Sequence, residues 1–113
     1  QFSEFYILGS QGQAQDYPRE VDVDQAFMVT SGIINHEAAA STYNIRIQVG
    51  ELLVGQAGPI HLEAGAAWEE HGRLVMPMAG EDQQVIFILE RDGQASPYRT
   101  LRLWLNVKPS PSP

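Results

Sequence analysis

The stretch that decides the fold lies near the end of the chain and reads Tyr98-Arg99-Thr100-Leu101-Arg102-Leu103-Trp104-Leu105-Asn106-Val107. Its apolar residues, Leu101, Leu103, Leu105 and Val107, alternate with polar or aromatic ones. Because successive side chains of a β-strand point to opposite faces, this period of two predicts a strand with one face in a core. The same alternation recurs along the chain and predicts an all-β architecture.

Strand patterns separated by turn signals about every ten residues are typical of an antiparallel sandwich. Gly50-Glu51 is predicted as a two-residue hairpin turn, with the glycine supplying a positive φ. The pattern predicts an all-β, antiparallel, immunoglobulin-like β-sandwich of seven to nine strands. The predicted strand segments are residues 4–8, 21–24, 26–34, 43–49, 52–55, 60–62, 68–78, 85–89 and 98–107, and residues 79–82 are predicted as a turn.

The core of the predicted sandwich follows from the same alternation. Apolar residues at every second position of four strands should point into the space between the two sheets. The residues expected there are Phe5, Ile7, Ile45, Ile47, Phe87, Leu89, Leu101, Leu103 and Leu105.

Length and composition predict one domain and a short tail. The chain has 113 residues, which suits a single domain. We expect the sandwich to occupy residues 1–107 and a Pro/Ser-rich tail to occupy residues 108–113. The chain has no cysteine, so no disulfide, thiolate nucleophile or zinc–thiolate site can form within it.

The charge balance argues against some partners. Seven Lys and Arg residues stand against fourteen Asp and Glu residues, a formal net charge of −7. Nucleic-acid binding depends on clustered cations that displace counterions from phosphate, so no nucleic-acid partner is expected. Self-repulsion of this charge also predicts that the isolated domain is mainly a monomer.

Three histidines, His36, His61 and His71, are the residues most able to ligate a metal. None has the spacing of a metal-binding motif, and each is more easily explained without a metal. For Asn35-His36-Glu37 we predict a turn in which the asparagine side chain bonds local backbone groups.

No pattern in the sequence predicts catalysis. Asp22-x-Asp24 and Glu90-x-Asp92-Gly93 faintly suggest calcium sites but lack the spacing of a calcium-binding loop. No nucleophile elbow, phosphate loop or dinucleotide fingerprint occurs. The sequence therefore predicts a protein that is not an enzyme and that folds without a metal or cofactor.

Trp104 is the candidate for an interaction residue. Its neighbours Leu103 and Leu105 are predicted to point into the core, so Trp104 should point outward together with Arg102. Exposed Trp and Arg are enriched where interfaces bind most strongly. The alternative is that the N-terminal segment or the tail covers the indole ring. Trp68, on another predicted strand, stays undecided between core and contact.

Four ordered motifs resemble an uncharacterised family of archaeal and bacterial membrane proteins. The motifs are Phe2-Ser3-Glu4-Phe5-Tyr6-Ile7-Leu8-Gly9, Asp16-Tyr17-Pro18, Gly32-Ile33-Ile34-Asn35-His36-Glu37 and Tyr98-Arg99-Thr100-Leu101-Arg102-Leu103-Trp104. Members of that family carry several transmembrane helices followed by a soluble C-terminal domain of unknown function. The resemblance implies that a transmembrane segment precedes this domain and that the full-length protein is membrane-associated.

Two functions remain open at this point. The first is a non-catalytic interaction or spacer domain of a membrane protein, placed on the extracytoplasmic side, with another envelope protein as a candidate partner. The second is a ligand-binding module for carbohydrate or another envelope component, using Trp104 or Trp68. Flat sugar-binding platforms use several coplanar aromatic rings, and only one exposed ring is predicted, which favours the first function.

Overall fold

The computed structural model describes residues 1–9 and 19–110, and these residues form strands and no helix. The all-β prediction is therefore confirmed. None of the described segments is a helix able to cross a membrane. The predicted loop over residues 10–16 and the Tyr17-Pro18 pair lie outside the described residues, as do residues 111–113 of the tail. The strands are β1 (Ser3–Leu8), β2 (Glu20–Asp22), β3 (Ala26–Asn35), β4 (Ser41–Val49), β5 (Leu52–Leu62), β6 (Ala67–Val75), β7 (Gly80–Arg91) and β8 (Arg99–Lys108).

The strands form two sheets with the core between them. One sheet has three strands in the order β1-β3-β6, and the other has five in the order β2-β8-β7-β4-β5. The sheet memberships match those of the immunoglobulin sandwich, in which the first, second and fifth strands of the basic set share one sheet. The predicted immunoglobulin-like sandwich is confirmed. In the described residues, β6 has no further strand on its outer side.

One strand pairing differs from the antiparallel rule. β2 runs parallel to β8, with Val21 opposite Val107, whereas the other five pairings are antiparallel. The alternation of side chains predicts that a segment is a strand but carries no information on its direction. β8 ends at Lys108, one residue beyond the predicted boundary, because the Lys108 carbonyl accepts a hydrogen bond from the Val23 N–H at 2.9 Å.

The core contains most of the residues that the alternation placed there. Phe5 and Leu101 are only half-buried and pack against the edge of the cluster, whereas the others are buried. Val85 and Tyr43, which are not among the predicted core residues, are fully buried too. The predicted core residues that are buried are Ile7, Ile45, Ile47, Phe87, Leu89, Leu103 and Leu105.

The prediction of separate strands at residues 52–55 and 60–62 is wrong, because β5 is continuous from Leu52 to Leu62. Gly58-Pro59 was read as an interruption. Proline is compatible with an edge strand, where its missing N–H need not pair, and β5 is an edge strand. The extra residues are accommodated by a register shift between the Tyr43 and Ile45 pairs of β4.

The predicted turn at residues 79–82 also needs correction, because β7 already begins at Gly80. Asp82 has a φ of 51° and lies within a register shift between Gly80 and Gln83. The turn-forming residues therefore make a bulge inside a longer strand. The predicted hairpin turn at Gly50-Glu51 is confirmed: it joins β4 to β5, and Gly50 has a φ of 58°.

Candidate functional site

The outer face of the five-stranded sheet carries the two residues predicted as an interaction surface. Trp104 is 54% exposed, and Arg102 beside it is also exposed, while Leu103 and Leu105 point into the core. The outward orientation of both residues is therefore as predicted. In the described part of the chain neither the N-terminal strand nor the start of the tail covers the indole ring.

The centre of this face is apolar. In the register of β7 and β8, Trp104 lies opposite Gln84 and Arg102 opposite Ile86. Ile86 and Ile88 alternate with the buried residues of β7, so they point outward, and both are half-buried. The indole ring thus lies on the same side of the sheet as two isoleucines that face away from the domain's own core.

The middle of the same face has few acidic residues. Among the outward residues of the central strands, the only carboxylate is Glu90, and it pairs with Arg46 at 3.0 Å. The Arg102 side chain has no ion pair or hydrogen bond with another described residue. The outward residues in the middle of the face are Asn44, Arg46, Gln48, Gln84, Ile86, Ile88, Glu90, Thr100, Arg102, Trp104 and Asn106. Two arginines stand against one glutamate there, whereas the exposed Glu20 and Asp22 of β2 lie at the edge of the face beside Lys108.

The three histidines lie in separate local contacts. His36 stacks on Phe2, with ring centroids 4.7 Å apart. The His71 Nδ1 atom lies 2.6 Å from the Thr30 hydroxyl, and His61 lies 3.7 Å from a carboxylate. Among residues 1–9 and 19–110, no three His, Cys, Asp or Glu side chains lie close enough together to hold a metal ion.

The predicted turn at Asn35-His36-Glu37 is confirmed, and its asparagine does more than the prediction said. The Asn35 Oδ1 atom accepts a hydrogen bond from the Glu37 N–H at 2.8 Å. Its Nδ2 atom donates to the carbonyls of Ala39 and Leu62, each at 3.0 Å. Because Asn35 is fully buried, these bonds join the β3–β4 turn to the end of β5.

A polar network around Glu37 lies beside this turn. The Glu37 Oε2 atom accepts hydrogen bonds from the Tyr98 hydroxyl at 2.6 Å and from the Ser3 hydroxyl at 2.9 Å. Since the one hydroxyl proton of Ser3 goes to Glu37, the buried Tyr43 hydroxyl donates to Ser3 at 2.7 Å. The network ties β1, β4 and the β7–β8 connection together.

Two carboxyl groups in this region have lowered pKa values. The hydrogen bond from Tyr98, followed by that from Ser3 and by the nearby Arg91 guanidinium, lowers the pKa of the Glu37 carboxyl, although burial opposes the shift. The hydrogen bond from Ser96 and the Arg46 ion pair lower the pKa of Glu90. Hydrogen bonds and cations favour the charged carboxylate, so both groups are held in the ionised form.

We expect the Glu37 network to make stability fall in acid. A carboxyl whose pKa is lower in the folded state stabilises the fold above its ordinary pKa of about 4.3, and this contribution is lost as the pH falls towards the folded value. The melting temperature should therefore decrease from about pH 5 downward. The Glu37→Gln variant should be less stable at pH 7 and should lose part of that acid dependence.

The matched control for this pH series is Glu81→Gln, which removes an exposed carboxyl from the bulged start of β7. Its melting temperature should follow the wild-type pH profile. An identical acid dependence in the wild type and in Glu37→Gln would show that other groups cause the acid loss.

A cleft opens between the free edges of β5 and β6, and we call it the β5–β6 cleft. It consists of an outer cavity of about 570 Å³ and an inner cavity of about 160 Å³. Both cavities are lined by Ile45, Gln56, Ala57 and Glu70. Half-buried Trp68 lines the inner cavity, so this ring is neither core nor open surface.

Sequence reasoning missed both the Glu37 network and the cleft. Each is built from residues of strands far apart in the chain, and no local spacing marks them. The only local signal for the cleft is the small or polar character of Gly55, Ala57, Glu70 and Gly72 in strands that otherwise alternate.

The fold and its surfaces define an immunoglobulin-like β-sandwich with one exposed tryptophan face and one polar cleft. The chain belongs to the family described as a domain of unknown function, DUF1616, whose model matches residues 1–106. The four motifs predicted a domain of unknown function that covers nearly the whole chain, and this part of the prediction is confirmed. No curated protein matches this chain.

Proposed function

We propose that this chain is a non-catalytic interaction domain that docks a protein partner on the outer face of its five-stranded sheet. The observation that carries the proposal is Trp104, which leaves 54% of its surface in solvent on a strand whose other face is fully used by the core. A large aromatic ring outside the core contributes little to the fold, whereas at an interface it binds strongly. A pure spacer would have no use for this residue.

The composition of the face supports the same function. The centre of a protein interface is depleted in charged residues and enriched in aromatic residues and Arg. The middle of this face has Trp104, Arg102 and outward Ile86 and Ile88, and the one carboxylate there is neutralised by an ion pair. The exposed carboxylates of Glu20 and Asp22 lie at the edge of the face, on β2, which matches the arrangement of an interface centre with a charged rim.

A membrane protein is the proposed context. The four motifs resemble membrane proteins of archaea and bacteria. From this resemblance we infer that a transmembrane segment precedes the domain, that the domain is extracytoplasmic and that its partner is another envelope protein. The net charge of −7 supports a protein partner over a nucleic acid, and a mainly monomeric isolated domain.

Site-specific photo-cross-linking in the full-length protein tests the docking surface. A photo-reactive amino acid at position 104 should give a specific cross-linked partner, because that side chain lies within the proposed interface. The matched control is position 28 on the other sheet, where Met28 is 41% exposed. Equal cross-linking to the same partner from both positions would contradict the proposal.

The Trp104→Ser variant provides the second arm of that experiment. It should keep the melting temperature of the domain within a few degrees and should remove cross-linking from a probe at position 102. Met28→Ser should leave that cross-linking unchanged. Unchanged cross-linking in Trp104→Ser would show that the indole ring does not carry the interaction.

The proposed location has its own test, because the domain has no cysteine. A single cysteine at the exposed position 81, placed in a cysteine-free full-length protein, should react with a membrane-impermeant maleimide on intact cells. Labelling only after the cells are opened would contradict the extracytoplasmic location without affecting the proposed docking surface.

A further inference from the structure

The β5–β6 cleft lies at the side where the sandwich is left open. In a constant-type immunoglobulin domain a fourth strand lies beside the strand that corresponds to β6. Here the three-stranded sheet ends at β6, and the cleft lies directly beside it. β5 and β6 are both edge strands in the described residues, so the cleft can be reached from solvent.

Glycine at position 72 keeps this cleft open without a backbone requirement. Gly72 faces the cleft from β6, and its φ does not lie in the left-handed region. A Cβ atom built there meets nothing nearer than the Val29 carbonyl oxygen at 3.6 Å, so a side chain would fit. Glycine inside a strand weakens it and often marks a place where a ligand approaches closely.

Unpartnered polar side chains converge on the outer cavity. Asn44, Gln56 and Glu70 all line it, and none of their side chains makes a hydrogen bond with another described residue. The Arg46–Glu90 ion pair completes the wall. The outer cavity is therefore lined by three kinds of polar group. Its amides both donate and accept hydrogen bonds, its carboxylates accept them and its guanidinium donates them.

The indole ring of Trp68 adds an apolar surface to the inner cavity. Binding sites for small molecules combine an enclosed shape with a few convergent polar groups, and their volumes are about 300–1,000 Å³. The outer cavity, at about 570 Å³, falls within that range. Trp68 lies on a different sheet from Trp104. The outer cavity reaches the outer face of the five-stranded sheet at Asn44, Arg46 and Glu90, but Trp104 lies opposite Gln84, at the other end of β7, and lines neither cavity.

From this set of groups we propose that the β5–β6 cleft binds a neutral carbohydrate. Hydroxyl groups both donate and accept, so they match the amides of Asn44 and Gln56 and the carboxylate of Glu70. The C–H face of a sugar ring can pack on Trp68. Two carboxylates, Glu70 and Glu90, disfavour an anionic ligand, and the mostly polar lining disfavours a lipid chain.

Titration of the ¹⁵N-labelled domain with defined sugars tests this site by NMR. The probes are the methyl glycosides of glucose, galactose and N-acetylglucosamine, disaccharides of these sugars, and glucuronate as the charged arm. At least one neutral probe should shift the resonances of Asn44, Gln56 and Trp68 at concentrations up to about 50 mM, and glucuronate should bind at least about tenfold more weakly.

Two variants separate binding from folding. Gly72→Val fills the cleft and should keep or raise the melting temperature while reducing affinity for the sugar at least about tenfold. Gln56→Ala removes a polar group and should reduce affinity without altering the fold. Gln48→Ala and Trp104→Ser should bind as the wild type does, because neither residue lines the outer or the inner cavity.

Three outcomes would overturn the proposal. They are the absence of shifts at these three residues with every neutral probe, shifts that persist in Gln56→Ala and in any folded Gly72→Val, and binding of glucuronate as tight as that of the neutral sugars. Loss of binding in Trp104→Ser would place the site around Trp104. Because the cross-linking probes lie at positions 102 and 104, which line neither cavity, either proposal can fail while the other holds.

Discussion

The Leu103→Ala variant is expected to lower the free energy of unfolding by about 2–5 kcal/mol, whereas Arg102→Ala should cost less than about 1 kcal/mol. Leu103 is 8% exposed and lies opposite Val85 in the register of β7 and β8. Truncation removes buried apolar surface and leaves a cavity that its neighbours fill only in part. Arg102 is the next residue along the strand, but its side chain lies in solvent.

Urea denaturation followed by circular dichroism measures this difference, since both variants should unfold with the same slope and differ in midpoint. The pair is well matched, because the two positions share a strand and differ only in the face to which they point. Equal midpoints would contradict the inward placement of Leu103, because a one-residue slip of β8 would exchange the two faces.

The alternation could predict most of the sandwich because its physical cause is local. In β4 and β8 one face is buried and the other is wet, so the sequence must change character at each residue. β7 is apolar on both faces at its centre and lies inside the five-stranded sheet, between β8 and β4. The outward orientation of Trp104 followed from the same rule, since only the parity of its position was needed.

The continuity of β5 could not be predicted in the same way. Gly58-Pro59 breaks the alternation, and whether such a pair ends a strand depends on which neighbour it has. On an edge strand the position of the missing proline N–H needs no hydrogen-bond partner, so the strand continues past Pro59 with a bulge. The sequence around Pro59 contains no signal that β5 lies at an edge.

Long-range polar contacts were equally inaccessible. Glu37 was read as part of a turn, which is correct, but its partners Ser3 and Tyr98 lie 34 and 61 residues away along the chain. Tyr43 alternates in β4 with the same parity as Ile45 and Ile47, and only the position of Ser3 on β1 explains how its hydroxyl can be buried. Contacts of this kind are decided by the tertiary fold and leave no spacing in the sequence.

The two proposed sites differ in what the fold requires of them. Trp104 occupies an outward position where many residues would be tolerated, so its presence needs an explanation outside the fold. Gly72 occupies an inward position where a larger apolar residue would ordinarily close a sandwich, and a Cβ atom there would meet nothing nearer than 3.6 Å. At Trp104 the surface exposes more apolar area than the stability of the fold requires. At the cleft the core buries less apolar area than a closed sandwich would.

The Asn35→Ala variant is expected to lower the free energy of unfolding by about 2–4 kcal/mol, the second large effect. Asn35 is fully buried, and its side chain holds the Leu62 and Ala39 carbonyls and the Glu37 N–H. Alanine would leave these groups without partners, and a buried unsatisfied polar group costs more than the lost bond alone. The measurement is again the urea midpoint.

Asn44→Ala is the matched control, because Asn44 is exposed and its side chain makes no hydrogen bond with a described residue. It should cost less than about 1 kcal/mol.

Since Asn35 positions the backbone of Glu37, Asn35→Ala should also remove part of the acid dependence that Glu37→Gln removes. The double variant should therefore lose less stability than the sum of the single variants, because both act on one network. Strict additivity would mean that the turn and the carboxylate stabilise the sandwich independently.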